Sequence, residues 1–374
     1  MLSNAFGLIY TGEANPHMRD LTTSRAVAAL PFGSRYRVID FILSNLVHSG
    51  VSSVGVIAQR NYHSLMDHLG SGKEWDLHRK REGLFILPPF MTKDTAGMYR
   101  GSVDAFHSVM GYVRRCPQEY CILSGTHIIF NTTFHDMVRQ HEETGADITI
   151  MYRRENHFIP EEENNNLYIT MDETSRVIDM ELDPYKPTSV YKSCNCMVLS
   201  KRLLEYLVEE AYSRGECDFS RDVLLKKFRS LKVYGWKYNG YVAELNSVND
   251  YYKHSMALFK PDIRADLFSR ERPVYTKVKD EFSAHYCAGA SVRNSLLADG
   301  CDIGGSVSNS ILFRGVIVEK GAVVRDSILM QGVHVKAGSV LDHVILDKGV
   351  TIHEGRNLSG YDGFPIVIKK NAEV

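Results

Sequence analysis

The feature that most constrains this chain is a repeat near its C-terminal end. Three segments read Asn309-Ser310-Ile311-Leu312-Phe313-Arg314-Gly315-Val316, Asp326-Ser327-Ile328-Leu329-Met330-Gln331-Gly332-Val333 and His343-Val344-Ile345-Leu346-Asp347-Lys348-Gly349-Val350. Their glycines stand at 315, 332 and 349, a constant step of 17 residues, and Gly321 and Gly338 repeat the same step. A fainter copy lies upstream, at Asn294-Ser295-Leu296-Leu297 with Gly300. Such a period fits three short strands per coil, with Gly or Asn at the corners and small or β-branched residues packed inside. Each coil covers the next and buries its strand faces. The pattern predicts a left-handed parallel β-helix over residues 286–374; an antiparallel sandwich would not impose a fixed step.

The first two thirds follow another pattern. Phe6–Tyr10, Val54–Ala58, Tyr120–Leu123 and Ile148–Met151 are short apolar runs of the buried-strand type. Helical spacing appears over Arg37–His48, where Val38, Phe41, Ile42 and Leu46 share a face, and over Ser102–Arg114, Thr133–His141, Lys201–Tyr212, Phe219–Phe228 and Asp250–Phe259. Strands alternating with helices predict a doubly wound, mainly parallel α/β sheet, with ligands at the strand carboxyl ends. The reading places an α/β domain over 1–260 and a linker over 261–285, where Pro261 and Pro273 interrupt weak periodicity.

Composition narrows the function classes. Lys+Arg is 44 against 45 Asp+Glu, a formal net charge of −1, which lacks the basic footprint of a nucleic-acid binder. No run approaches the roughly 20 apolar residues of a membrane span, and the N-terminus has no signal-peptide pattern. Seven scattered cysteines include one close pair, Cys194 and Cys196, expected to be small buried thiols. The expected compartment is the cytoplasm. The 15 histidines show no metal-ligand spacing, and no metal is expected on this chain. Arg79-Lys80-Arg81 reads as a solvated loop.

The run Leu21 to Phe41, containing Pro31-Phe32-Gly33-Ser34-Arg35-Tyr36-Arg37-Val38-Ile39-Asp40-Phe41, is far more specific. With Leu43-Ser44-Asn45, Tyr99-Arg100-Gly101-Ser102-Val103-Asp104-Ala105, Ser124-Gly125-Thr126-His127 and Cys217-Asp218-Phe219-Ser220-Arg221-Asp222, it resembles glucose-1-phosphate adenylyltransferase, the ADP-glucose pyrophosphorylase of glycogen and starch synthesis. The resemblance covers essentially the whole chain. It implies a nucleotidyltransferase-like, Rossmann-like domain and a reaction in which glucose 1-phosphate attacks the α-phosphorus of ATP, with Mg²⁺ and cationic side chains neutralising phosphate.

Each motif departs from the family at the charged positions. The family's G-G-x-G-T-R-L loop becomes Thr11-Gly12-Glu13-Ala14-Asn15-Pro16-His17-Met18, with one glycine, an added carboxylate and a proline that removes a donor. The phosphate lysine of R-A-K-P becomes Val27. The metal aspartate of G-D-H becomes Thr126, a neutral hydroxyl in place of a hard anionic oxygen. The sugar-phosphate lysine of E-K-P becomes Asp183, and Leu167 replaces a pocket glycine. The second metal aspartate becomes Glu244. Gly12, Tyr99, Gly101, Asp104 and Gly125 are left as remnants of the nucleotide and sugar pocket, and His127 as a stranded neighbour of Thr126.

Several independent losses in phosphate, metal and sugar contacts imply a fold kept and a chemistry lost. The chain is similar to the GlgD-type second subunit that stands beside a catalytic paralogue. The resemblance implies a regulatory subunit in a hetero-oligomer, expected to be a tetramer. Mg²⁺ and ATP would be held by the catalytic partner, and no cofactor by this chain. Arg25 and Arg37 match arginines near the family's effector site, and with Arg35 they form the candidate anion site for a sugar phosphate, phosphate or AMP. The alternatives are an active adenylyltransferase with rearranged ligands, using Asp104 and Glu244 for Mg²⁺, and a metabolite-binding module outside glycogen metabolism.

Overall fold

The computed structural model describes residues 2–12, 16–89, 99–155 and 166–374. The chain divides into two compact units, Met1–Ala14 with Phe41–Val242, and Asn15–Asp40 with Ala243–Val374. The expected contiguous break after residue 260 thus differs from the observed division. Segment 16–40 and the helix Val248–Met256 leave the α/β unit: the Tyr251 hydroxyl donates to the Pro31 carbonyl at 2.9 Å, and Arg25 pairs with Asp347. The expected linker also holds a helix, Pro261–Leu267, which Pro261 opens with its preset φ and dispensable N–H.

The first unit is built on a nine-stranded sheet among the described residues. Its strands are β1 (Ala5–Tyr10), β2 (Ser53–Ile57), β3 (Gly83–Leu87), β4 (Tyr120–Ser124), β5 (Ile148–Arg154), β6 (Leu167–Met171), β7 (Val177–Leu182), β8 (Tyr191–Ser200) and β9 (Val233–Lys237). β1 pairs in parallel with β2 on one side and β4 on the other, and β2 with β3. The chain therefore winds outward from β1 in both directions, and the crevice between β1 and β4 is the topological switch point. Beyond β4 the sheet is mixed. β8 runs antiparallel to β4, β5 and β6, while β5 and β9 are parallel.

The helix Val38–His48 forms as its spacing predicts. Gly7 on β1 admits it: a Cβ there would lie 2.7 Å from Leu46 Cδ1. Asn45 on this helix and Ser49 just past its end hold the segment after β4. The Asn45 amide donates to the Phe130 carbonyl at 2.9 Å and accepts from the Thr132 N–H at 3.0 Å, and Ser49 Oγ accepts from the Phe134 N–H at 2.8 Å. The expected helix Ser102–Arg114 is two helices, Ser102–Ser108 and Met110–Arg115, because Val109 leaves helical geometry at φ −102° and ψ 7°. Cys194 and Cys196 are buried free thiols, as expected.

In the second unit, three five-stranded parallel sheets form the left-handed β-helix. Residues of one sheet begin at His285, Asp302, Ile317, His334 and Thr351, so the step is 17 residues except for one shorter coil of 15. Ile303, Val318, Val335 and Ile352 stack inside. One corner of each coil is left-handed at Asn294, Asn309, Asp326 and His343, with φ between 43° and 51°. Serines bind successive coils: the Ser310 N–H donates to Ser295 Oγ at 3.2 Å, Ser327 N–H to Ser310 Oγ at 3.2 Å, and Val344 N–H to Ser327 Oγ at 3.1 Å.

Candidate functional site

β1 and β4 end side by side, with Ile9 in register with Ser124, so the loops carrying Gly12 and Gly125 both start at the switch point. Thr11 is fixed there by its N–H and its hydroxyl, which donate to the Ile57 carbonyl at 3.1 and 2.9 Å. The chain's own side chains crowd Gly12. The Tyr10 hydroxyl lies 3.3 Å from both the Gly12 carbonyl and Gln59 Oε1, and Gln59 Nε2 donates to the Tyr99 carbonyl at 3.1 Å. A Cβ on Gly12 would meet Gln59 Oε1 at 2.1 Å and the Tyr10 ring at 2.6 Å. The structure thus joins Gly12 to Tyr99 through the Tyr10 hydroxyl and Gln59, neither of which any sequence motif singles out. Glu13 lies outside the described residues.

Gly101, Ser102 and Val103 form one assembly with the Cys217–Asp222 motif. A Cβ on Gly101 would stand 2.3 Å from the Cys217 carbonyl oxygen, which also accepts from the Val103 N–H at 2.9 Å. Asp222 Oδ2 accepts from the Cys217 and Asp218 N–H groups, each at 3.0 Å. Asp104 is fully engaged: Arg100 Nε and Nη2 each donate to it at 2.8 Å, and the Arg100 N–H adds a third bond at 3.1 Å. The Arg100 hydrogen bonds hold the Asp104 carboxyl below its ordinary range.

Thr126 and His127 are buried, and the Gly125 N–H donates to the Asn195 carbonyl at 3.0 Å. Asp183 has a structural task. It is left-handed at φ 47°, its carboxylate accepts from the Asn166 N–H at 2.8 Å, and its own N–H donates to the Asn166 carbonyl at 3.0 Å. This reciprocal pair closes the β6–β7 pairing, in which Leu167 faces Leu182. In the other unit, Val27 is buried in a short 3₁₀ turn, and Glu244 accepts from Asn246 Nδ2 at 3.0 Å.

Magnesium takes octahedral oxygen coordination from one or two available carboxylates, water and substrate phosphate. These residues do not fit it. Thr126 is neutral and the Asp104 carboxylate is already chelated by a guanidinium.

The second unit gathers cationic side chains around a buried ion pair. Arg25 is 2% exposed and Asp347 1%, and Arg25 Nη2 bonds both carboxylate oxygens at 2.7 and 2.8 Å. Asp347 also accepts from the Lys348 N–H at 2.7 Å. Burial, then Arg37 and Arg25, push the Lys348 ammonium down to about 7; Asp347 opposes them and Lys370 adds to them. Lys348 therefore stands among Arg37, Arg25, Asp347 and Lys370. Arg35 belongs to a different group: it lies 5.8 Å over the Tyr36 ring, and burial, with Arg35 beside it, holds the Arg314 guanidinium below its usual range. So Arg25 and Arg37 both act on Lys348, Arg35 instead lies close enough to Arg314 to repel it, and Lys348, Lys370 and Asp347 are additions. One signal for them was present in the sequence. Asp347 occupies the repeat position held by Phe313 and Met330, a charge in an apolar column.

A family model described as nucleotidyl transferase matches residues 7–258, and one described as GlmU-like, C-terminal hexapeptide matches residues 281–363. The glycogen biosynthesis protein GlgD of Bacillus subtilis (strain 168) is 35% identical over 307 residues, 81% of this chain and 78% of its own length. GlgD of Geobacillus stearothermophilus is 36% identical over 307 residues, 82% of this chain and 79% of its own. The glucose-1-phosphate adenylyltransferase of Pseudothermotoga lettingae is 35% identical over 329 residues, 86% of this chain and 77% of its own.

Proposed function

The chain belongs to the glucose-1-phosphate adenylyltransferase family of nucleotidyl transferases, and on that premise we propose that it is a non-catalytic, regulatory subunit of ADP-glucose pyrophosphorylase in glycogen biosynthesis. The observation that carries the reading is a contrast between two sites. At the switch point the metal-holding position is the neutral Thr126 and the nearby motif carboxylate, Asp104, is chelated by Arg100. In the second unit, Arg25 and Asp347 form a buried ion pair, and the neighbouring Lys348 feels the charges of Arg37 and Lys370 as well as of that pair.

The chain has Thr126 in place of the family's metal aspartate, and Val27 and Asp183 in place of its two phosphate lysines, so groups that neutralise phosphate are missing. A cation–phosphate pair at about 4 Å is worth roughly 4 kcal/mol at an effective dielectric of 20, so the losses remove orders of magnitude of rate. The second site suits a phosphate-bearing effector: a sugar phosphate, inorganic phosphate or AMP. A subunit that binds an effector and turns nothing over acts through a partner, so the chain assembles with a catalytic paralogue in a hetero-oligomer. Mg²⁺ and ATP are bound by that paralogue. The compartment proposed is the cytoplasm; no helix among the described residues is long and apolar enough to cross a membrane, and all seven cysteines are free.

The test is pyrophosphate release from ATP and glucose 1-phosphate, by the purified chain alone and mixed with its catalytic paralogue. The reading expects no turnover alone and a shifted rate or effector response in the mixture. Robust turnover by the chain alone overturns it and favours the rearranged active enzyme.

A further inference from the structure

The first two coils of the β-helix bring together three side chains of metal-ligating type. His285 and Cys287 flank Tyr286 at alternate positions, so they leave the same face of the strand. Asp302 is the register partner of His285 on the next coil. His285 Nδ1 lies 2.8 Å from Asp302 Oδ1, Cys287 Sγ lies 3.5 Å from the same oxygen, and Sγ to Nδ1 is 3.9 Å. Around a tetrahedral zinc ion, with bonds of about 2.0–2.3 Å, such ligand atoms stand about 3.3–3.6 Å apart. Each observed separation is within half an ångström or so of that frame, and side-chain rotation alone closes the difference. His285 and Asp302 are 63% and 47% exposed, so an ion can enter without unfolding and a fourth position is left facing outward.

From this cluster we propose that His285, Cys287 and Asp302 form a binding site for a divalent transition metal of the zinc type. A thiolate with an imidazole selects such an ion over magnesium or calcium. On binding, the Cys287 thiol gives its proton to solvent and the sulfur joins the metal. Water or a residue from another molecule completes the tetrahedron. The strand His285–Tyr286 is the outermost of its sheet among the described residues, an edge with one free row of backbone groups. The ion would clip this edge coil to the one beneath it and cap the end of a stack that is otherwise held only by its neighbours.

The full-length chain is titrated with Co²⁺ and the absorbance followed. The expected result is one cobalt per chain, with tetrahedral d–d bands and a thiolate-to-cobalt charge-transfer band, both removed by Zn²⁺. Cys287→Ser abolishes the charge-transfer band, Asp302→Asn weakens binding, and Cys217→Ser, which alters the other half-exposed thiol, leaves the spectrum unchanged. Zinc also slows amide exchange over the Cys287 region, whose N–H donates to the Ile303 carbonyl at 2.9 Å, and does so only in the unaltered chain. A second cluster, Asp326, Asp342 and His343, contains no sulfur, so cobalt held there gives no charge-transfer band. Absence of the band, or its survival in Cys287→Ser, overturns the proposal.

Discussion

Replacing Asp347 by alanine isolates the energetics of the cationic group. Its carboxylate is the buried counter-ion of Arg25, with both side chains at 2% exposure or less. Removing it leaves a guanidinium out of water, facing Arg37 and Lys348. Breaking a buried pair of this kind costs about 3–5 kcal/mol, because the surviving charge is uncompensated. At about 1.4 kcal/mol per decade, local opening should become more frequent by about two to nearly four orders of magnitude. Both tryptophans lie in the other unit, so the assay is hydrogen exchange of peptides spanning Val340–Leu346, read by mass spectrometry. The double variant Arg25→Met with Asp347→Leu removes both charges and should exchange close to the unaltered rate. Inorganic phosphate should slow exchange in Asp347→Ala by replacing the lost negative charge. If Asp347→Ala changes exchange by less than about fivefold, the pair behaves as a solvated surface contact, and the reasoning about a built anion site fails.

Other outcomes follow from the same geometry. Lys348 holds its proton to about pH 7 in the folded chain against 10.5 when free, so between those values the unfolded chain carries the extra proton and stability rises with pH. Lys348→Met should flatten that part of the stability profile. Phosphate binding should restore the proton, tightening below pH 7; titration heats independent of the buffer's ionisation enthalpy would refute the coupling. Thr126→Asp alone should yield no measurable pyrophosphate release, since Asp104 stays chelated and the lysines stay absent; substantial turnover would sink the non-catalytic reading. Gly101→Ala should lower Tm markedly, by roughly 2–3 kcal/mol of strain or more, because the new Cβ meets the Cys217 backbone oxygen at 2.3 Å. Gly12→Ala should cost less, because the atoms it meets, Gln59 Oε1 and the tip of the Tyr10 ring, are ends of side chains and not backbone; equal losses would contradict that distinction.

The repeat was the most legible part of this chain because its physics is local: period, corner glycines and interior column all lie within one coil. The helix Val38–His48 was legible for the same reason. The mixed character of the sheet was not. β8 is buried over most of its length, with its apolar run confined to Cys196–Leu199, which suits a strand of either direction, and its antiparallel pairing depends on the path of segments far away in sequence. Asp183 shows the same limit at the site. Aligned by motif, it stood for a lost lysine; in the structure it ties its own carboxylate to Asn166 and closes a strand pair. Asp347 was readable in principle, as a charge in an apolar column, but its partner Arg25 is 322 residues away. The metal-type cluster escaped because its ligands sit on different coils, joined by the repeat's step and not by a motif.

The serine column makes the length of the β-helix a quantity that changes in whole steps. Ser295, Ser310 and Ser327 occupy equivalent places, each Oγ receiving the amide of the next coil. Excising residues 310–326 would set Ser327 where Ser310 now stands, over Ser295, with corner, interior and hydrogen bonds matched. The solenoid would be shorter by one strand spacing, about 4.8 Å, and otherwise intact. Duplicating the same segment would lengthen it equally. A domain built this way is a ruler: gene duplication or loss of a single coil resets the separation of whatever its two ends hold, without redesign of a core.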